Sequence, residues 1–297
     1  MSTTVENLQP RLAATEFDGP EEQSRGRRLL GLMRRKPLLV VGVLLLAFFA
    51  ALAIVGPFFV GDPLATDPAK TFQAPSAEYW FGTDRFGRDV FARSVHAARL
   101  DLTIGLTIAI AAMLIGSVIG VIAGYFGGAT DEIMMRLTDV LLAFPGFVLA
   151  LIIVAALAET TINVIIAVTI AFIPYFIRLT RAQVLKEREL EYVEGALLAG
   201  NNSWRVAFRH VLPNSLAPSV VGATLVTGYA VLTVAGLAFL SVGIQPPTAE
   251  WGVMVGEGAK DIITGEWWTS LFPGAMIVVA VMAFHFIGDE FGGEVTS

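Results

Sequence analysis

The chain has no cysteine among its 297 residues, which excludes disulfides and thiolate metal sites. Charge is also scarce. Asp, Glu, Lys and Arg make up 15% of the residues, whereas a soluble domain carries about 25%. The three histidines, His96, His210 and His285, lie in separate regions without metal-ligand spacing. No His-Glu-x-x-His, no paired intramembrane carboxylates and no nucleophile with a base stand out, which argues against a membrane-embedded enzyme. Inverted repeats and intramembrane charges, the marks of a self-powered secondary transporter, are not evident either. The net charge of −6 disfavours nucleic acid, which requires a basic face. Gly82 and Gly87 have the separation of a phosphate loop. However, Arg88-Asp89 follows where Lys and Ser/Thr are needed, and no apolar strand precedes. A turn held by an Asp84–Arg88 pair is the expectation there.

What the sequence does contain is apolar. Hydrophobic residues reach 55% and the mean hydropathy is +0.69, as in an integral membrane protein. Charge-free runs at 38–60, 102–126, 140–158, 162–177, 216–242 and 271–287 predict six spans. Each must be helical, because lipid cannot satisfy an open backbone. The expected fold class is therefore all-α, a polytopic membrane protein with about six transmembrane helices.

Basic residues orient these spans. Arg25, Arg27, Arg28, Arg34, Arg35 and Lys36 precede the first run, so the positive-inside rule places a tail, 1–36, in the cytoplasm. A cleaved leader ending at Ala51-Leu52-Ala53 is the rival, but the apolar run continues to Val60 and the preceding segment is too long. Six spans then bring both ends inside. Arg178, Arg181, Lys186, Arg188, Arg205 and Arg209 fall in an inside loop, while the outside loop 243–270 has Lys260 alone. The loop 61–99, expected outside after a first helix at 37–60, carries Lys70, Arg85, Arg88, Arg93 and Arg99 against the rule. The core is expected at 100–290 and a C-terminal tail at 291–297.

Small residues and prolines punctuate the spans. Gly116, Gly120, Gly124 and Gly128 recur every fourth residue, a ladder that permits close helix packing within the chain or across a subunit interface. Pro145 and Pro174 lie inside spans and Pro273 opens the sixth. Asp139, His285 and Asp289 fall near span ends, with His285 expected to serve packing rather than ligation.

The polar stretch 192–214, within a loop 181–214, is the most informative. Residues 181–198 are rich in helix formers. Gly200 can take the left-handed conformation that ends a helix. Asn201, Asn202 and Ser203 are good N-caps, and a second short helix, 204–211, is expected to stop at Pro213. On local pattern alone this elbow is either a solvated amphipathic loop on lipid headgroups or a docking element.

The elbow resembles the EAA loop of ABC-transporter inner-membrane permeases, through Glu194-Gly195-Ala196, Gly200 and His210-Val211-Leu212-Pro213. Gly195 stands where the family usually has Ala. Residues 81–89 (FGTDRFGRD), 124–128 (GYFGG), 142–145 (LAFP), 242–248 (VGIQPPT) and Trp251-Gly252 are similar to the "C" permease subunit of dipeptide, oligopeptide and nickel importers. The resemblance runs from about Leu38 to Asp289, and the ending 288–293 departs from the family's longer, more basic tail.

The resemblance implies a type I ABC importer permease. Such a chain pairs with a homologous second permease subunit, two ATP-binding subunits that carry ATP and Mg, and an extracytoplasmic solute-binding protein. It has no catalytic residue, metal or cofactor of its own. Glu194, Gly195, Ala196 and Gly200 would shape the surface that docks the ATPase, with Glu194 pairing to that partner or to Arg209. Leu212 and Pro213 would anchor the elbow to the fifth span. Outer loops, including Gln245–Trp268, would face the binding protein. The implied cargo is a di- or oligopeptide, with nickel or another small solute as the alternative.

Overall fold

The computed structural model describes residues 36–295. The expected cytoplasmic tail at 1–36, with all of its basic cluster except Lys36, lies outside the described residues, as do the last two positions of the C-terminal tail. Every regular element among the described residues is helical: α1 (Pro37–Ile54), α2 (Val90–Phe126), α3 (Gly128–Leu142), α4 (Gly146–Ala156), α5 (Thr161–Glu187) and α6 (Glu191–Leu198). There follow α7 in three pieces (Ser203–Val206, Ala207–Val211 and Leu212–Ser215), α8 (Ala217–Phe239), α9 (Trp251–Ala259) and α10 (Trp268–Val295). Five helices are long and apolar enough to cross a bilayer. The pair α3 and α4, bent by 86° at its break, makes a sixth span if the two count as one.

The core lies where α2, α4, α5 and α8 meet, around Ile108, Val154, Val164, Val168, Val234 and Leu237, all fully or almost fully buried. The glycine ladder serves this packing. A Cβ on Gly116 would meet the Ile173 carbonyl at 2.9 Å, and one on Gly120 would meet the Ile177 carbonyl at 2.8 Å. The small side gives α5 room to lie directly on α2. A buried hydroxyl cluster fastens the same contact: Thr180 Oγ1 donates to Ser117 Oγ at 3.0 Å and lies 2.9 Å from Ser219 Oγ on α8. Interhelical polar links of this kind contribute about 0.6 kcal/mol on average in membranes. Gly128 is not part of the ladder; its φ is +56° and nothing lies within 4 Å of its Cβ position.

Three sequence expectations shift. The second span begins at Val90, capped by Asp89, whose side chain accepts from the Phe91 N–H. Arg93 and Arg99, read as loop, are thus helical. The third span is not one rod. Pro145 cannot donate to a helix and disfavours helical geometry at Phe144, so the chain breaks between Leu142 and Gly146. The fourth span continues past Ile177 to Glu187, which puts Arg178 and Arg181 on a helix. Arg181 is held there by a bidentate pair to Asp131 of α3, with Nη2 2.6 Å from Oδ2.

Candidate functional site

The elbow occupies the end of the bundle where α2 and α5 finish. Its inner face is a small apolar cluster of Val121 from α2, Val184 from α5, Val193 from α6, and Val206, Ala207 and Val211 from α7, with Ala196 and Leu212 packed at its edge. To bury Val193 the chain must turn after α5. It does so at Arg188–Leu190, where Arg188 caps α5 and its Nη1 donates to the Gly124 carbonyl at 2.8 Å. The continuous helix expected over 181–198 is therefore two helices.

The turn between α6 and α7 is built as sequence predicts. Gly200 has φ +84°, its N–H bonds to the Leu197 carbonyl at 2.9 Å, and the Asn201 N–H bonds to the Ala196 carbonyl at 3.3 Å. This crossed pair is the Schellman arrangement that closes a helix on a left-handed residue. The Asn201 side chain donates to the same Ala196 carbonyl at 2.9 Å, and Asn202 Oδ1 caps α7 by accepting from the Arg205 N–H at 2.8 Å.

Pro213 does not stop the second helix. The turn widens to π-type geometry over Ala207–Val211, with the Leu212 N–H reaching the Ala207 carbonyl, and helical structure continues to Ser215. Pro213 then sits in the first turn of that last piece, where a missing N–H costs nothing.

The six predicted residues divide between two faces. Ala196 and Leu212 pack inward, and Gly200 makes the turn. Glu194, Gly195 and Pro213 are exposed. Among the described residues Glu194 has no ion pair, so the expected contact with Arg209 is absent from this structure. Nothing lies within 4 Å of a Cβ built on Gly195. Around these residues the outer face is apolar, with Leu190, Leu197, Trp204 and, at 83% exposure, Leu198. Tyr192 fixes the patch to the bundle by donating to Glu187 Oε2 at 2.8 Å and accepting from Asn214 Nδ2 at 3.3 Å.

The opposite end of α2 is held by charge. Arg88 Nε lies 2.6 Å from Asp84 Oδ2, which confirms the expected pair. Beyond it, Arg88 and Arg93 each reach Glu257 Oε2 of α9 at 3.2 Å, and Arg85 reaches Asp261 at 2.8 Å. Three arginines and three acids thus bind the 81–89 turn and the start of α2 to α9 and the residue Asp261 just after it. A second contact lies alongside. Trp251 N–H donates to Asp101 Oδ2 at 3.0 Å, Val253 N–H donates to Glu250 Oε2 at 2.6 Å, and the two carboxyl groups are within hydrogen-bonding reach of each other. Burial raises the Glu250 carboxyl above its ordinary pKa. Sequence reading missed this pair because Asp101 and Glu250 are 149 positions apart and both lie outside the expected spans. The one available signal was an acid adjoining a charge-free run. Residues 243–270, expected as an outer loop, contain a helix whose Trp251 is wholly buried, packed 5.8 Å from the Phe49 ring of α1.

Residues 116–291, more than half of the chain, match the family described as binding-protein-dependent transport system inner membrane component. The chain belongs to this family. It is 42% identical over 275 residues to a dipeptide transport system permease protein of Alkalihalophilus pseudofirmus, which covers 91% of this chain and 90% of that one. It is 37% identical to a probable D,D-dipeptide transport system permease protein of Escherichia coli, over 91% of both chains. A di/tripeptide transport system permease protein of Pseudomonas aeruginosa is 41% identical, over 75% of this chain and 73% of that one. The protein is thus a multi-pass membrane permease subunit, and its family works with ATP-binding and substrate-binding partners. Among the described residues, no group of three or more His, Cys, Asp or Glu is placed to hold a metal ion.

Proposed function

We propose that this permease forms half of the translocation pore of an ATP-driven importer of di- or oligopeptides. A homologous second permease supplies the other half. Two ATP-binding subunits, which hold ATP and Mg, engage the elbow through Glu194, Gly195 and the exposed Leu198. An extracytoplasmic binding protein docks at the α9 end. The membrane is the cell's inner or plasma membrane, with both termini and the elbow in the cytoplasm. This chain transmits motion and performs no catalysis.

Likeness to peptide permeases along nine-tenths of the chain is the observation that carries the substrate class. The exposed apolar face of α6 supports the docking role, because such a face on a polar loop marks an interaction surface.

Two measurements test the reading. Cells carrying Asn201→Cys or Thr248→Cys, treated with an impermeant thiol reagent, should label at Thr248 alone; labelling at Asn201 alone would reverse the orientation. The complex reconstituted with its partners should import labelled dipeptides when ATP is supplied. Import of nickel in place of dipeptide would replace the cargo.

A further inference from the structure

Most exposed residues along the spans are aliphatic, as lipid contact requires. On α2 these are Leu106, Ile110, Leu114 and Val118, in a ridge of four-residue steps. One strip differs. Arg178 of α5 and Asp139 of α3 pair at 2.6 Å with their side chains 56% and 60% exposed. Arg178 lies nine residues before the end of α5, which is about 13 Å along the helix. Charge near a span end can snorkel to water; what sets this face apart from the aliphatic ridge is that its polar residues run on past the ion pair toward the middle of the bundle.

The strip continues inward. Tyr175 is one turn from Arg178 on the same side of α5 and is 42% exposed. Its hydroxyl lies over Gly222 of α8, where a Cβ would sit 2.9 Å away. Tyr229, two turns further along α8 and halfway down that helix, is 48% exposed. Its ring meets His285 of α10 edge-on at 4.9 Å. His285 Nδ1 lies 3.1 Å from the Val281 carbonyl, to which it donates.

We infer that Asp139, Arg178, Tyr175, Tyr229 and His285 form this chain's wall of the translocation path, and that the wall receives a zwitterionic dipeptide. Arg178 takes the terminal carboxylate and Asp139 the terminal ammonium, while the tyrosine faces accept side chains of many kinds. With no peptide present the ion pair neutralises itself, so an empty path leaves no isolated charge. The inference rests on the peptide-importer reading above for its ligand, and on exposure and charge for its location.

The assembled complex with its partners provides the test, and the absence of native cysteine means that this chain contributes no background. Tyr175→Cys and Tyr229→Cys should react with a water-borne methanethiosulfonate and be protected by dipeptide during turnover, whereas Ile110→Cys and Leu114→Cys should not react. Arg178→Gln should raise the KM for a free dipeptide about tenfold and leave uptake of its N-acetylated, C-amidated form within twofold of wild type. Unreactive cysteines at both tyrosines would mean that the strip is sealed against a neighbouring subunit, and would overturn the wall. Equal losses for free and blocked dipeptides would overturn the roles of Arg178 and Asp139. If the tyrosine cysteines label but the wild-type complex imports no dipeptide, the wall stands and the peptide cargo is overturned.

Discussion

Asp101 and Glu250 bring two carboxyl groups into contact inside the bundle, one from α2 and one from the residue that caps α9. Each is almost fully buried, and each spends one oxygen on a backbone N–H of α9. Their remaining oxygens, Asp101 Oδ1 and Glu250 Oε1, receive no protein donor. The charged groups that the two carboxyls face are each other.

This pair makes stability depend on pH. Burial raises the folded pKa of Glu250 above that of the unfolded chain. The folded state therefore holds a proton that the unfolded state releases. The contribution is complete below an unfolded carboxyl pKa of about 4.3 and declines as pH rises from there through the folded value. Melting of the purified permease in detergent, compared with Glu250→Gln, should show the advantage of the wild type shrinking from acid to neutral pH. A constant difference would mean that the group does not titrate. Glu250→Ala should cost about 1 kcal/mol more than Glu250→Gln through the lost α9 cap.

Removing Glu257 should be far more damaging than removing an exposed acid. Arg88 and Arg93, whose side chains are 4% and 1% exposed, would lose a shared partner. Uncompensated buried charge of this kind costs about 3–5 kcal/mol, so Glu257→Ala should lower the melting midpoint sharply. Glu132, paired to Arg136 with both side chains more than 60% exposed, should shift it by less than about 1 kcal/mol when replaced by Ala.

Two glycines of the elbow should separate folding from coupling. Gly200→Val places a branched residue at φ +84°, at a cost of about 1–2 kcal/mol, and distorts the turn that presents α6. Gly195 has no neighbour within 4 Å, so Gly195→Ala should stabilise α6 by up to about 1 kcal/mol. Gly195→Leu should not lower the melting midpoint yet should reduce peptide-stimulated ATP hydrolysis in the assembled complex. Full activity of Gly195→Leu would remove this residue from the docking surface.

The α2–α5 contact should be sensitive to a single methyl group. A Cβ on Gly120 meets the Ile177 carbonyl at 2.8 Å and the Arg181 backbone nitrogen at 3.1 Å. Backbone cannot yield as a flexible side chain can, so the helices must part. Gly120→Ala should lower the melting midpoint by about 1–3 kcal/mol equivalent, whereas Gly128→Ala should do so only through its positive φ.

Much of this was legible in advance because its causes are local. Charge-free runs mark spans, Gly200 marks a left-handed turn, and Asp84 and Arg88 are close enough in sequence to pair in one turn. What escaped was set by distant contacts. Nothing near Leu190 announces a break; the chain turns there because Val193 finds its apolar neighbours under α2. Pro213 looks like a stop until the π-type turn before it absorbs the missing N–H. Asp101, Arg93 and Glu257 read as loop charges because their partners are more than 140 residues away. Of the elbow residues proposed from sequence, structure adds which pack inward and which are exposed.

α2 is 37 residues of unbroken helix, about 55 Å long, against a hydrocarbon layer of about 30 Å. One end is pinned to the elbow by Val121 and the Gly124 carbonyl, the other to α9 by Arg93 and Asp101. It is therefore a single strut joining the two ends, with its glycine face seated on α5 at the elbow end. No joint interrupts the helix between the elbow and α9, so whatever displaces one end has a continuous path of backbone hydrogen bonds to the other.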